Sequence, residues 1–204
     1  PPVPDDKNAA KILWPLFTDH HYNTNRNLYK QPSFNYYFID SPIHAKHTPM
    51  QLAELRLDLK NNREFLTQLE KGLQYPDCVY PVQWTNGVEE YFASHLHLEK
   101  IGEAANLLEM RSYSATLDGN YTRAVNDIHL QLRLCHTMDH GKSLQNTFAQ
   151  YRCYNKACST ANRLLNNATL NEIQLKSLQE KVEELKKKME AVHTEVLPCS
   201  KSSW

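Results

Sequence analysis

Two histidines in this chain have a spacing that could hold a metal ion. In His136-Thr137-Met138-Asp139-His140 the imidazoles are four residues apart, and on a helix they would share one face, as two zinc ligands can. The glutamate that follows the first histidine in zinc peptidases is absent. Imidazolium also suits the last helical turn before Gly141, where it complements the helix dipole. We therefore expect no metal and no cofactor, with His136 and His140 as weak zinc candidates.

Other catalytic patterns are also missing from the sequence. The chain has only five glycines and contains no G-x-S-x-G elbow and no phosphate-binding glycine loop. Cys135 and His136 are adjacent, and adjacent residues of a helix do not face each other, so a Cys/His catalytic pair is not favoured. The carboxylate pairs Glu89-Glu90 and Glu183-Glu184 fall on faces expected to be solvated. We predict that the protein is not an enzyme, and a zinc-dependent enzyme is the least favoured function.

The five cysteines predict disulfide bonds rather than a zinc module, because none of them forms a C-x-x-C pair. Cys153 and Cys158 are five residues apart on one predicted helix and point in different directions, so each should reach another element. We expect two bridges and one remaining thiol. The preferred pairing joins Cys199 to Cys135 or Cys153, and Cys78 to Cys158.

Two glycosylation sequons favour an extracellular protein. They are Asn120-Tyr121-Thr122 and Asn167-Ala168-Thr169, and the numbered chain begins with Pro1 rather than Met, as a mature or trimmed product would. No segment approaches the roughly 20 apolar residues of a membrane-spanning helix. The formal net charge is zero, without a basic face for a phosphate backbone. We predict a secreted glycoprotein with no membrane span and no nucleic-acid partner.

Residues 1–47 differ from the rest in being rich in proline and aromatic residues. One short helix is expected near Asp6 to Leu13, capped by Asp5 or Asp6 and ending before Pro15, and an extended arm should follow. Such aromatic side chains suit either a recognition surface or a groove between helices that they fill. The binding candidates in this arm are Trp14, Phe17, Tyr22, Tyr29, Phe34, Tyr36 and Tyr37.

Residues 48–204 carry the apolar periodicity of long helices. Thr48-Pro49 is a helix start signal, and leucines then recur at steps of three and four to Gly72, with Asn62 in the one polar slot. Further helices are predicted at about 87–111, from Asn120 toward Gly141, at about 143–165, and from Leu170 to a stop at Pro198. The fold class is therefore all-α, a disulfide-stabilised bundle of about five to six helices in a single domain, with an extended aromatic-rich N-terminal arm.

Four of these helices have apolar faces that should be buried. They comprise Val88, Phe92, His95, Leu98, Ile101, Ala105 and Leu108 in the helix at 87–111; Ala124, Ile128, Leu130, Leu132 and Cys135 in the helix after Asn120; Leu144, Phe148, Tyr151, Ala157, Ala161 and Leu164 or Leu165 in the helix at 143–165; and Leu175, Leu178, Val182, Leu185, Met189, Val192 and Val196 in the last helix.

The chain resembles the helical secreted salivary proteins of blood-feeding insects such as mosquitoes. The resemblance rests on the proline-rich start (Pro1-Pro2-Val3-Pro4), the two sequons, the scattered cysteines and the several long helices. This resemblance implies binding of a host or self component outside the cell. The first functional hypothesis is thus an extracellular interaction protein that contacts another protein through its arm and a helix surface. The alternative is a carrier of a small apolar ligand in a cavity between helices.

Overall fold

A computed structural model describes residues 3–4, 6–22, 29–33, 47–81, 88–141 and 143–196. These residues form helices and no strand, which confirms the all-helical prediction. None of the helices in this part of the chain combines the length and apolar character needed to cross a membrane. The helices are α1 (Ala10–Tyr22), α2 (Pro49–Asn61), α3 (Arg63–Gly72), α4 (Val88–Leu117), α5 (Tyr121–His136), α6 (Leu144–Asn167) and α7 (Glu172–Val196).

The centre of the fold is the trio α4, α5 and α6. The amide of Gln131 on α5 donates to Ala105 O on α4, and the amide of Gln150 on α6 donates to Cys135 O near the end of α5. Short links join the three helices, so α5 runs antiparallel to both of its neighbours. Four residues of the predicted buried face of α4 lie in the core: Leu98, Ile101, Ala105 and Leu108. The side chains of Val88, Phe92 and His95, which belong to the same predicted face, lie outside the described part of the structure.

Helix α7 lies beside α5 and runs parallel to it. Gln174 Nε2 donates to Thr122 Oγ1 near the start of both helices, and His129 lies 3.5 Å from Ser177 Oγ further along. Its predicted apolar seam is only partly covered. Leu178 is buried, whereas Leu175 and Val182 remain 45% and 39% exposed.

Asn62 divides the long helix predicted from Thr48 to Gly72. Its side chain is fully buried and clamps the backbone of Lys30: Oδ1 accepts from Lys30 N at 2.7 Å, and Nδ2 donates to Lys30 O at 2.8 Å. Nδ2 also donates to Asp58 O at 2.9 Å. The Asn62 side chain therefore holds the N-terminal segment 29–33 against the junction of α2 and α3.

Helix α1 corrects the prediction of a helix that ends before Pro15. It begins at Ala10, where Asn8 Oδ1 accepts from the backbone N–H, and it continues through Pro15 to Tyr22. An interior proline costs about 3 kcal/mol because it removes one helical hydrogen bond and crowds the preceding turn. Leu13 and Phe17 on either side of Pro15 are fully buried in the core, and their packing offsets this cost.

A network of alternating charges joins α3, α4 and α5. Arg111 forms ion pairs with Glu70 and Asp127, and Arg123 forms ion pairs with the same two carboxylates. Asp127 has no solvent exposure, and its burial raises its pKa even though both arginines act to lower it. Each helix supplies only some of the four charges, so the ion pairs form only when α3, α4 and α5 lie in these relative positions.

Candidate functional site

The aromatic binding candidates that the structure describes pack against the helices. Phe17 and Tyr29 are buried, and Tyr29 meets Phe65 edge-on at 5.4 Å between ring centroids. Trp14 is partly buried and stacks obliquely against Tyr80 at 5.9 Å. These three rings fill spaces between helices. Tyr22 is the last residue of α1, while Phe34, Tyr36 and Tyr37 lie outside the described residues.

No disulfide joins the four described cysteines, which are free thiols: Cys78, Cys135, Cys153 and Cys158. The preferred bridge from Cys78 to Cys158 is thus not formed in the structure. Cys135 and Cys153 meet where α5 packs on α6, because both thiols donate to Gln131 O, at 3.1 and 3.9 Å. Burial raises the pKa of Cys78 to about 12 and raises that of Cys135 as well. Cys199 lies outside the described residues.

Both sequon asparagines are exposed at helix ends. Asn120 caps α5 by accepting from Arg123 N at 3.1 Å through Oδ1, and Asn167 ends α6. A glycan attaches to the Nδ2 of asparagine and leaves Oδ1 in place. Carbohydrate on Asn120 is therefore compatible with its capping bond.

The two histidines of the weak zinc candidate have different surroundings. Helix α5 ends at His136, so His140 lies in the turn that follows rather than on the same helical face. His136 Nδ1 lies 3.2 Å from Tyr154 Oη, and His140 Nε2 lies 3.8 Å from an Asp77 carboxylate oxygen. Across the described residues, no three His, Cys, Asp or Glu side chains converge as a metal site would require.

Helix α6 is rotated relative to the sequence prediction, and polar residues explain the rotation. Asn146 Nδ2 donates to Met138 O at 2.6 Å, and Gln150 Nε2 donates to Asp139 Oδ1, also at 2.6 Å. Both amides are buried against the turn that follows α5. A Cβ atom at Gly141 would overlap the Asn146 side chain, so glycine leaves space for this contact. The buried face of α6 therefore includes amides that serve the backbone of the preceding turn.

The rotation leaves an apolar stripe in solvent, which corrects the predicted buried face of α6. Leu144, Phe148 and Tyr151 are 57%, 59% and 53% exposed, and their spacing of four and three residues aligns them on one side of the helix. Ala157 and Ala161 are buried as predicted. We call Leu144, Phe148 and Tyr151 the α6 stripe. Exposed Arg152 adjoins it, and residues 144–167 contain no aspartate or glutamate.

A second surface feature is a groove of about 360 Å³ between α5 and α7. Helix α5 lines it with His129, Arg133 and His136, and α7 lines it with Lys181 and Glu184. Lys181 Nζ and Glu184 Oε2 are 2.8 Å apart. Burial lowers the pKa of His129, and the charges of Lys181 and Arg133 lower it further, while a hydrogen bond with Ser177 opposes them.

Sequence reasoning missed both features for identifiable reasons. The α6 stripe has the apolar spacing of a core face, and the signal against that reading was the pair of amides at Asn146 and Gln150, which repeat at the same interval. The groove combines residues from two helices about 50 positions apart in sequence, and no local pattern connects them.

Comparison of the chain with protein-family models, with curated proteins and with solved structures found no match.

Proposed function

We propose that this is an extracellular interaction protein that recognises another protein through the α6 stripe. The observation that carries the proposal is the exposure of Leu144, Phe148 and Tyr151 by more than half on one helical face. Aromatic side chains that combine a large apolar body with a polar group dominate many protein interfaces. Each such ring is costly to leave in water unless a partner covers it.

The charge beside the stripe indicates the kind of partner. Exposed Arg152 adjoins Tyr151, whereas Lys156 and Arg163 of the same helix pair with Glu109 inside the fold. A complementary surface would present an apolar cleft with aspartate or glutamate at its rim. The proposal retains the helix surface of the sequence hypothesis and moves the contact away from Trp14, Phe17 and Tyr29, which pack within the fold.

The extracellular location rests on the two sequons, whose asparagines are exposed. Protein made in a secretory host should lose the mass of two N-glycans on enzymatic deglycosylation, at Asn120 and Asn167. A chain from such a host that carries no glycan at either asparagine would overturn this part of the proposal.

The decisive experiment compares two variants in an interaction assay with extracellular fluid as the source of partners. The test variant replaces all three stripe residues by serine (L144S/F148S/Y151S). The control variant replaces Met50 and Leu57, which are exposed apolar residues on α2, in the same way (M50S/L57S). A partner captured by the wild-type chain is purified, and its affinity for all three proteins is then measured.

The stripe variant should bind at least about ten-fold more weakly than the control, since each truncated anchor removes about 1–2 kcal/mol. Hydrogen exchange in the complex should slow at residues 144–152. Equal binding by both variants would refute the proposal. Self-association that depends on the stripe, seen by analytical ultracentrifugation, would replace the foreign partner with a second copy of this chain.

The alternative hypothesis of an apolar carrier gains no specific support from the groove between α5 and α7, whose walls carry several charged and imidazole side chains.

A further inference from the structure

The groove between α5 and α7 has the size and the mixed lining of a small-molecule site. Its volume of about 360 Å³ falls within the range typical of ligand clefts, roughly 300–1,000 Å³. Its lining includes Leu130 and Leu132, which are only 3% and 4% exposed, together with the charged side chains of Arg133, Lys181 and Glu184. We propose that this groove binds a small organic anion: an apolar body bearing one carboxylate or sulfonate group.

Arg133 is the residue that selects the anionic group. Its guanidinium contacts the neutral Gln74 Oε1 at 3.3 Å, and within the described part of the chain no carboxylate lies within 4.0 Å of it. Arg133 is exposed, and a guanidinium presents a planar fork of donors that matches a carboxylate. Arg133 thus offers the groove a charge that the described residues do not neutralise.

His129 and Lys181 line the groove beside Arg133. Burial lowers the pKa of His129 and the charges of Lys181 and Arg133 lower it further, so the imidazole is uncharged near pH 7 and can offer an N–H to an anion. A bound anion would reverse that effect and raise the pKa of His129. Glu184 is paired with Lys181 and lies 3.9 Å from His136, so it repels an anion from that side. The anionic group should therefore lie at Arg133 and His129.

The site is separate from the proposed protein interface. The groove lies on α5 and α7, whereas the α6 stripe consists of residues on α6 alone. Loss of one function should therefore leave the other intact. This separation makes the two proposals independently testable.

The test uses two probes of matching shape, 2-naphthoate and its neutral analogue 2-naphthamide, with the full chain in calorimetric titrations. Wild-type protein should bind naphthoate at least about ten-fold more tightly than naphthamide, as one charge-assisted contact implies. R133Q should remove that preference, and R133K should restore part of it. K187Q, which changes an exposed lysine of α7 that does not line the groove, should leave both affinities unchanged.

Nuclear magnetic resonance of the His129 ring gives a second readout that a folding defect would not imitate. Saturating naphthoate should raise the pKa of His129 in the wild-type chain and in K187Q. K181Q provides an independent test, since it should also weaken naphthoate binding. Absence of naphthoate binding, equal affinity for both probes, or an unchanged His129 pKa would each overturn the proposal. Binding that is lost in L144S/F148S/Y151S but retained in R133Q would also overturn it.

Discussion

Replacing Asn62 by alanine should destabilise the protein more than its single amide group would suggest. The side chain bridges the N-terminal segment to the junction of α2 and α3 through three hydrogen bonds, to Lys30 N, Lys30 O and Asp58 O. Alanine at this position leaves both backbone groups of Lys30 without this partner. It also opens a small void at a site with no solvent exposure.

The expected loss follows from the number of bonds. Each contributes about 1 kcal/mol net, which gives about 3 kcal/mol in total. Asn62 lies at the junction of the two helices rather than inside one, so alanine gains no helix propensity there. The free energy of unfolding should therefore fall by about 2–3 kcal/mol.

The measurement is urea unfolding followed by circular dichroism at the helix band, with N166A as the matched control. Asn166 is exposed, and its Nδ2 donates to Asn162 O on the same helix at 2.7 Å. N166A should change stability by no more than about 0.5 kcal/mol. Hydrogen exchange should also show that the Lys30 amide loses protection in N62A. Similar stability of the two variants, with Lys30 still protected, would refute the clamp.

Two glycines should respond to alanine in opposite directions. G72A should lower the free energy of unfolding by about 1–2 kcal/mol, because a Cβ atom there overlaps the buried Leu13 side chain. G102A should raise it by about 0.5–1 kcal/mol, because its Cβ meets nothing within 4 Å. Thermal unfolding tests both variants, and a stabilised G72A would contradict the packing of α1. D127N should lower the free energy of unfolding by about 3 kcal/mol, because it removes the charge of a buried carboxylate that pairs with two arginines. A loss below about 1 kcal/mol in urea unfolding would show that the ion-pair network contributes little to stability. In reduced protein at pH 8, iodoacetamide should modify Cys78 far more slowly than in the urea-unfolded chain, because its pKa of about 12 leaves little thiolate; equal rates by mass spectrometry would contradict its burial.

The central helices could be predicted because their apolar pattern agrees with their packing. Leu98, Ile101, Ala105 and Leu108 recur at helical spacing and all reach the core. Helix α4 has helices on several sides, so most faces that a periodic pattern could select are buried. The start of α2 at Thr48 was also predictable, since the hydroxyl cap and proline act through local geometry.

Errors arose where long-range polar contacts outweighed a local preference. Pro15 lies inside α1 because Leu13 and Phe17 are buried by other helices, a contribution that the sequence near Pro15 does not contain. The apolar face of α6 is in water because Asn146 and Gln150 serve the turn after α5. Unsatisfied carbonyls at the end of one helix thus determined the rotation of the next.

The candidate sites were less predictable than the fold. The arm rings Trp14, Phe17 and Tyr29 were expected either to recognise a partner or to fill a groove, and the structure places these three between helices. A binding surface and a filled groove would have shown the same pattern of aromatic residues in the sequence. Only the positions of distant residues such as Phe65 and Tyr80 distinguish a ring that packs from a ring that remains available.

The antiparallel course of α5 and α6 gives the molecule two unlike poles. Asn120 precedes α5 and Asn167 ends α6, so both sequon asparagines lie at one pole, whereas Leu144, at the opposite end of α6, is about 35 Å away along the helix axis. Oligosaccharides at both positions would shield the first pole from close approach and leave the second bare. A biosensor surface coated with a lectin would then bind every molecule at its glycosylated pole and leave Phe148 accessible to a partner. Random coupling through amines cannot provide this uniform orientation.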